Sequence, residues 1–172
     1  MSKLIFITVS SIVIIACILF FLNIYFGFTK AFTFSPPENY LPANVSEVDS
    51  SGKLTLKTEI GSFSFYVTPD QAYSISKALR NEVSERPLTH DLFKQILFKK
   101  NIEFIAATID KEEANTIFAT IYLRDGLTLL QIDSRPSDAI AIALRTNSKI
   151  YIAKELVLHA QEIPLTISNI TA

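Results

Sequence analysis

The chain has 172 residues, 49% of them hydrophobic, with 16 Lys+Arg against 17 Asp+Glu and a formal net charge of −1. This length fits one domain with extensions. The even charge balance gives no footprint for tight, non-specific nucleic-acid binding, although a local basic patch stays compatible with it. The single cysteine, Cys17, excludes an intramolecular disulfide and a cysteine-based zinc site.

Leu4–Phe28 is a run of 25 residues without a charge. At roughly 1.5 Å per residue, a helix of that length exceeds the ~30 Å hydrocarbon thickness of a bilayer. One N-terminal transmembrane helix within residues 1–30 is therefore expected. A cleaved signal peptide is the rival reading, but such apolar cores run to only about 7–15 residues. The Ile14-Ile15-Ala16-Cys17 segment faintly matches a lipoprotein box, yet the residues after it stay apolar. Lys3 on one side and Lys30 on the other give the positive-inside rule little to act on. The short basic N-terminus favours a cytoplasmic start and a domain outside the cytoplasm.

Residues 31–47, with Pro36, Pro37 and Pro42, read as a linker. A domain follows over residues 48–160, and residues 161–172 read as a loose tail. Lys53–Glu59 and Ser62–Val67 alternate polar and apolar around Gly61, a β-hairpin signal. Thr68-Pro69-Asp70-Gln71 then opens a helix, with Thr68 as N-cap, Pro69 first and Gln71 completing a capping box. Ala72, Ile75, Leu79 and Val83 fall on its apolar face.

A second helix starts at Thr89 or Pro87 and closes on Lys99, Lys100 and Asn101, cations that suit its C-terminus. Ile102–Ile109, Thr116–Leu123 and Leu127–Ile132 read as three strands of an antiparallel meander. Asp125-Gly126 marks a tight turn in it. A helix over Pro136–Arg145, a short strand Lys149–Ile152 and a short helix Lys154–Ala160 complete the domain. The class is α+β, a small mixed or antiparallel sheet with packed helices, preceded by the anchor.

Two polar turns carry the candidate chemistry. His90, between Thr89 and Asp91, reads as a general base or metal ligand, or as a polar residue of a first helical turn beside a dipole-stabilising Asp91. Asp133 and Asp138 offer hard oxygen ligands for Mg²⁺ or Mn²⁺, which could activate water against a phosphodiester. Equally, Asp138 stabilises a helix start and Asp133 pairs with Arg135. Arg86 and Arg135 either clamp a phosphate or pair with Asp91 and Asp133. There is no Gly-rich phosphate loop, no G-x-S-x-G and no H-E-x-x-H. Without tryptophan, base stacking would fall to Phe or Tyr.

RPLTHDL at Arg86–Leu92 and IDSRPSDAIAIALRTNSKIYIAKELV at Ile132–Val157 resemble the bifunctional nuclease domain family. TIFATIYLRDG at Thr116–Gly126 and PDQAYSISKAL at Pro69–Leu79 resemble its middle strands and first helix. The likeness covers Val48 to Leu158. It implies a compact α+β domain that self-associates as a homo-oligomer, with nuclease activity on RNA and DNA. Carried onto matching positions, the candidate site is His90, Asp91, Asp133 and Asp138 as catalytic residues, with Asp133 and Asp138 holding the metal. Arg86, Thr89, Arg135 and Ser137 would bind substrate. Asp70-Gln71 and Ser134 depart from the family pattern without touching these acids. The rival function is a non-catalytic assembly module whose polar motifs form an interface network, and a third is a small-ligand sensor holding an anion at the Arg-Pro turns.

Overall fold

The computed structural model describes residues 14–23, 34–82 and 84–167. The chain divides into two units, Met1–Ser35 and Pro36–Ala172. In the first, residues 14–23 form a helix, α1, exposed throughout. The rest of the expected anchor lies outside the described residues. Among the described residues no helix is long and apolar enough to cross a membrane.

The described residues of the second unit form seven strands and four helices. They are β1 (Tyr40–Val48), β2 (Lys53–Lys57), β3 (Ser62–Tyr66), α2 (Pro69–Leu79), α3 (Thr89–Lys99), β4 (Ile102–Glu113), β5 (Thr116–Asp125), β6 (Thr128–Ser134), α4 (Pro136–Thr146), β7 (Lys149–Ala153) and α5 (Lys154–Ile167). One seven-stranded sheet runs in the order β3-β2-β1-β7-β4-β5-β6. Every neighbouring pair is antiparallel except β4 and β7, so the sheet is mixed.

The main departure from the sequence reading is β1. Residues 40–47 were expected to be linker, yet they supply a central strand. Its first half, Tyr40–Ala43, pairs with β7, and Asn44–Val48 pairs with β2 across a bulge between Val45 and Glu47. Pro42 sits within the strand opposite Tyr151. A proline and a bulge hide the period-2 alternation by which strands are recognised. The Tyr40 hydroxyl donates to Asp110 of β4 at 3.0 Å, and Thr120 of β5 donates to the other oxygen at 2.7 Å. Burial and the Asp110 carboxylate together push the Tyr40 hydroxyl well above the usual tyrosine range.

The β2–β3 hairpin forms as its alternation predicts. Leu54, Leu56, Phe63 and Phe65 turn inward while Ser62, Ser64 and Tyr66 stay outside. Each buried aliphatic side chain contributes about 1.5–3 kcal/mol. In the turn between β1 and β2, Gly52 takes φ 88 and a Cβ there would clash with the Val67 carbonyl oxygen, so glycine is required. At the β5–β6 turn, Gly126 takes φ 57 at the first central position of a two-residue loop. The α2, α3 and α4 helices are each followed by an asparagine in the left-handed region, Asn81, Asn101 and Asn147 (φ 53, 55 and 55). The short amide side chain tolerates this conformation and lets the last carbonyls be satisfied. Thus Ser148 N–H returns to the Ala143 carbonyl at 2.9 Å.

In α2, Ala72 and Ile75 are buried as expected and Leu79 is exposed, while Val83 lies outside the described residues. The central helix is α4. Ala139 through Ala143 are all buried, because α2 and α3 pack on it from one side and β4, β5 and β7 from the other. The expected loose tail is partly structured: α5 continues past Ala160 to Ile167.

Candidate functional site

A helix buried on all sides has little room for charge. The α4 helix nonetheless carries Asp138 near its start and Arg145 near its end, seven residues apart. Two helical turns place both on one face, toward the start of α3. The first turn of α3 presents His90 and Asp91 side by side, and α2 contributes Ser74.

These five residues and Arg135 form one hydrogen-bonded chain. Asp138 Oδ1 lies 3.1 Å from His90 Nε2, and His90 Nδ1 lies 2.9 Å from Ser74 Oγ. Arg145 Nη2 donates to Ser74 Oγ at 3.1 Å, and Arg145 Nε donates to Asp91 Oδ1 at 2.6 Å. Asp91 Oδ2 accepts the Leu88 backbone N–H at 2.9 Å, capping α3. At the other end, Arg135 grips Asp138 with Nε at 2.6 Å and Nη2 at 3.0 Å.

The donor inventory assigns the tautomer. Arg145 can only donate, so Ser74 Oγ accepts from it and keeps its own proton to offer His90 Nδ1. In the neutral imidazole, Nε2 then carries the hydrogen and donates to Asp138. Burial pushes the Asp138 carboxyl up, but the Arg135 guanidinium and His90 outweigh it and hold the group below the usual carboxylate range. For Asp91, burial again raises and the Arg145 contact with the Leu88 N–H prevails, so this group also lies low. Both aspartates are ionised at neutral pH.

The network opens on a cleft of about 610 Å³ between α2 and α3. Leu88, Phe93 and Ile142 line its apolar part, and Ser74, His90 and Asp138 its polar side. Thr89 lies on its lining, exposed. Arg86 is exposed in the turn before α3, outside the lining, and Ser137 is buried in the first turn of α4.

Asp133 stands apart from this group. It pairs in register with Thr120, while Ile132 pairs with the buried Ile121. Alternation therefore turns Asp133 to the sheet face opposite the α4 side. Arg135 pairs with Asp138 rather than with Asp133. The expected Mg²⁺ or Mn²⁺ pair is thus not assembled. Both Asp138 oxygens are engaged, and among the described residues no three His, Cys, Asp or Glu side chains stand together as a metal group. The donor set as arranged does not fit a divalent cation.

Ser74 and Arg145 escape a reading by motif. The i, i+7 spacing of Asp138 and Arg145 on an otherwise apolar helix is the signal that points to Arg145. Ser74 gives none beyond being a hydroxyl beside an apolar stripe.

The fold and site define an α+β domain in which a histidine–carboxylate pair, steadied by two arginines, faces an open cleft. Residues 54–165 match the family model described as the bifunctional nuclease domain, and the chain belongs to that family. No curated protein matches the chain.

Proposed function

We propose that the chain is a membrane-anchored nuclease that cleaves phosphodiester bonds of RNA and DNA with the Asp138–His90–Ser74 relay. The observation that carries this reading is the relay itself, which runs from an ionised carboxylate through an imidazole to a hydroxyl on the cleft lining. As a water oxygen bonds to phosphorus, its proton passes through the Ser74 hydroxyl to His90 Nδ1. The bond from phosphorus to the leaving sugar oxygen breaks, and the imidazolium returns the proton by the same path to that oxygen. The Asp138 carboxylate stabilises the imidazolium that forms. Arg145 fixes the Ser74 lone pairs and so its direction. Arg135, its side chain 69% exposed, offers its guanidinium to the phosphate. In this account Asp91 caps and braces α3, and Thr89 contacts substrate at the cleft. Cleavage of single-stranded RNA and DNA by the purified full chain tests it. His90→Ala should lose activity while keeping its melting temperature within a few degrees, and full activity in that variant would reject the relay.

The anchor part of the proposal rests on the uncharged run Leu4–Phe28. The domain then stands outside the cytoplasm. A reporter fused after Ala172 that is active only outside the cytoplasm supports this orientation, and a reporter active inside reverses it.

Self-association is favoured by a specific feature, the outer edge of β6. It ends the sheet, and Leu127, Leu129, Leu130 and Ile132 are all exposed. One charge, Asp133, is the only blunting device among its seven residues. Antiparallel pairing of two copies centred on Gln131 sets Leu130 opposite Ile132 twice, apolar against apolar. A second copy of this chain is therefore the partner that fits, and light scattering of the detergent-solubilised protein measures it.

A further inference from the structure

The cleft beside the relay has a feature that proton transfer does not use. Tyr73, one residue before Ser74 on α2, belongs to its lining and is 53% exposed. A large aromatic ring left half in water beside an apolar floor of Leu88, Phe93 and Ile142 leaves unburied area that a flat ligand would cover. Charge narrows the choice of ligand. Asp70 and Asp138 lie on the lining against Arg135 alone, so the interior does not draw an anion inward. Lys77 Nζ stands over the Tyr73 ring, 5.5 Å from its centroid. The cleft thus offers a half-exposed ring and an apolar floor, with the Arg135 guanidinium and the Asp70 and Asp138 carboxylates also on its lining. A nucleobase stacked on that ring, with its backbone phosphate held at Arg135, matches that pattern. The cleft volume lies within the ~300–1,000 Å³ range of clefts that enclose small ligands.

We propose that Tyr73 stacks on one nucleobase of the strand being cut, so that the substrate must be unpaired at that position. The proposal rests on the nuclease reading above and adds the strand form and the residue that selects it. A base held in a duplex already stacks on its neighbours and cannot enter.

The test is fluorescence anisotropy with the full-length protein in detergent micelles. The probe is a labelled 2′-O-methyl oligonucleotide, which resists cleavage, presented alone and annealed to its complement. The single strand should bind at least about tenfold more tightly than the duplex. Tyr73→Ala should lose about tenfold in single-strand affinity, and Tyr73→Phe should keep it. Circular dichroism melting of each variant checks the fold. Equal binding of both strand forms, or unchanged affinity in Tyr73→Ala, overturns the proposal, as does the absence of binding by the wild type. Cleavage of the unmodified strand is read in parallel. Binding with these Tyr73 effects but without cleavage removes the nuclease reading and leaves the stacking site. Cleavage with no Tyr73 effect on binding does the reverse.

Discussion

Asp91 and Asp138 occupy the same place in two helices, the third residue of α3 and of α4, and each accepts an arginine Nε at 2.6 Å. Their surroundings separate them. Asp91 is joined to Arg145, whose side chain is 5% exposed, and spends its other oxygen on the Leu88 N–H. Asp138 is joined to Arg135, which is mostly in solvent, and turns an oxygen to His90. One acid ties helices together; the other holds an imidazole at the mouth of a cleft. The same residue type at the same helical position thus becomes brace or working group according to what its arginine is buried against.

The largest effect on activity should come from breaking the pair whose arginine stands in solvent. Asp138→Asn leaves the shape but removes the charge that stabilises the imidazolium, so kcat should fall about 10³-fold, within the range of general acid–base contributions. Steady-state kinetics with labelled oligonucleotides measures this, and the urea midpoint at neutral pH should fall only by the loss of the Asp138–Arg135 pair. Breaking the buried member should act on stability. Arg145→Met strands Asp91 and leaves Ser74 without its donor, and should cost about 3 kcal/mol in urea unfolding. That is the low end for removing one partner of a buried pair, because Asp91 retains some access to water.

Acid should weaken both acids together. Their folded values are depressed, so their stabilisation is complete above the unfolded value near pH 4 and is lost as pH falls through the lower folded values. Thermal unfolding between about pH 5 and pH 2 should show this loss, and the Asp91→Asn and Asp138→Asn variants should each show a shallower one. The smallest effect on folding belongs to Leu130→Lys on the β6 edge. Stability should stay within about 0.5 kcal/mol, as for a surface change, while the mass by light scattering falls to that of a monomer.

Much of the frame was legible. The hairpin alternation, the Thr68-Pro69 helix start, the Asp125-Gly126 turn and the apolar run of α4 each act through local backbone preference, and each formed where expected. Strand β1 was not legible, because its pairing with β7 and β2 is non-local and Pro42 disguises it. The site divided in the same way. His90, Asp138 and Arg135 came together, since the start of α3 meets the start of α4. Asp133 did not, because one residue of alternation turns a strand side chain to the other face. Ser74 and Arg145 were missed because a hydroxyl and a guanidinium on apolar helices gain meaning only from the partners that packing brings.

The most direct measurement is the rate of single-strand cleavage by the full-length protein carrying His90→Ala or Asp138→Asn, normalised to folded protein by circular dichroism. The account predicts that each variant folds, melts within a few degrees of the wild type and loses at least about 10²-fold in rate. Wild-type rates in both folded variants would contradict it, and would leave the Asp138–His90–Ser74 chain as a brace like the one at Asp91.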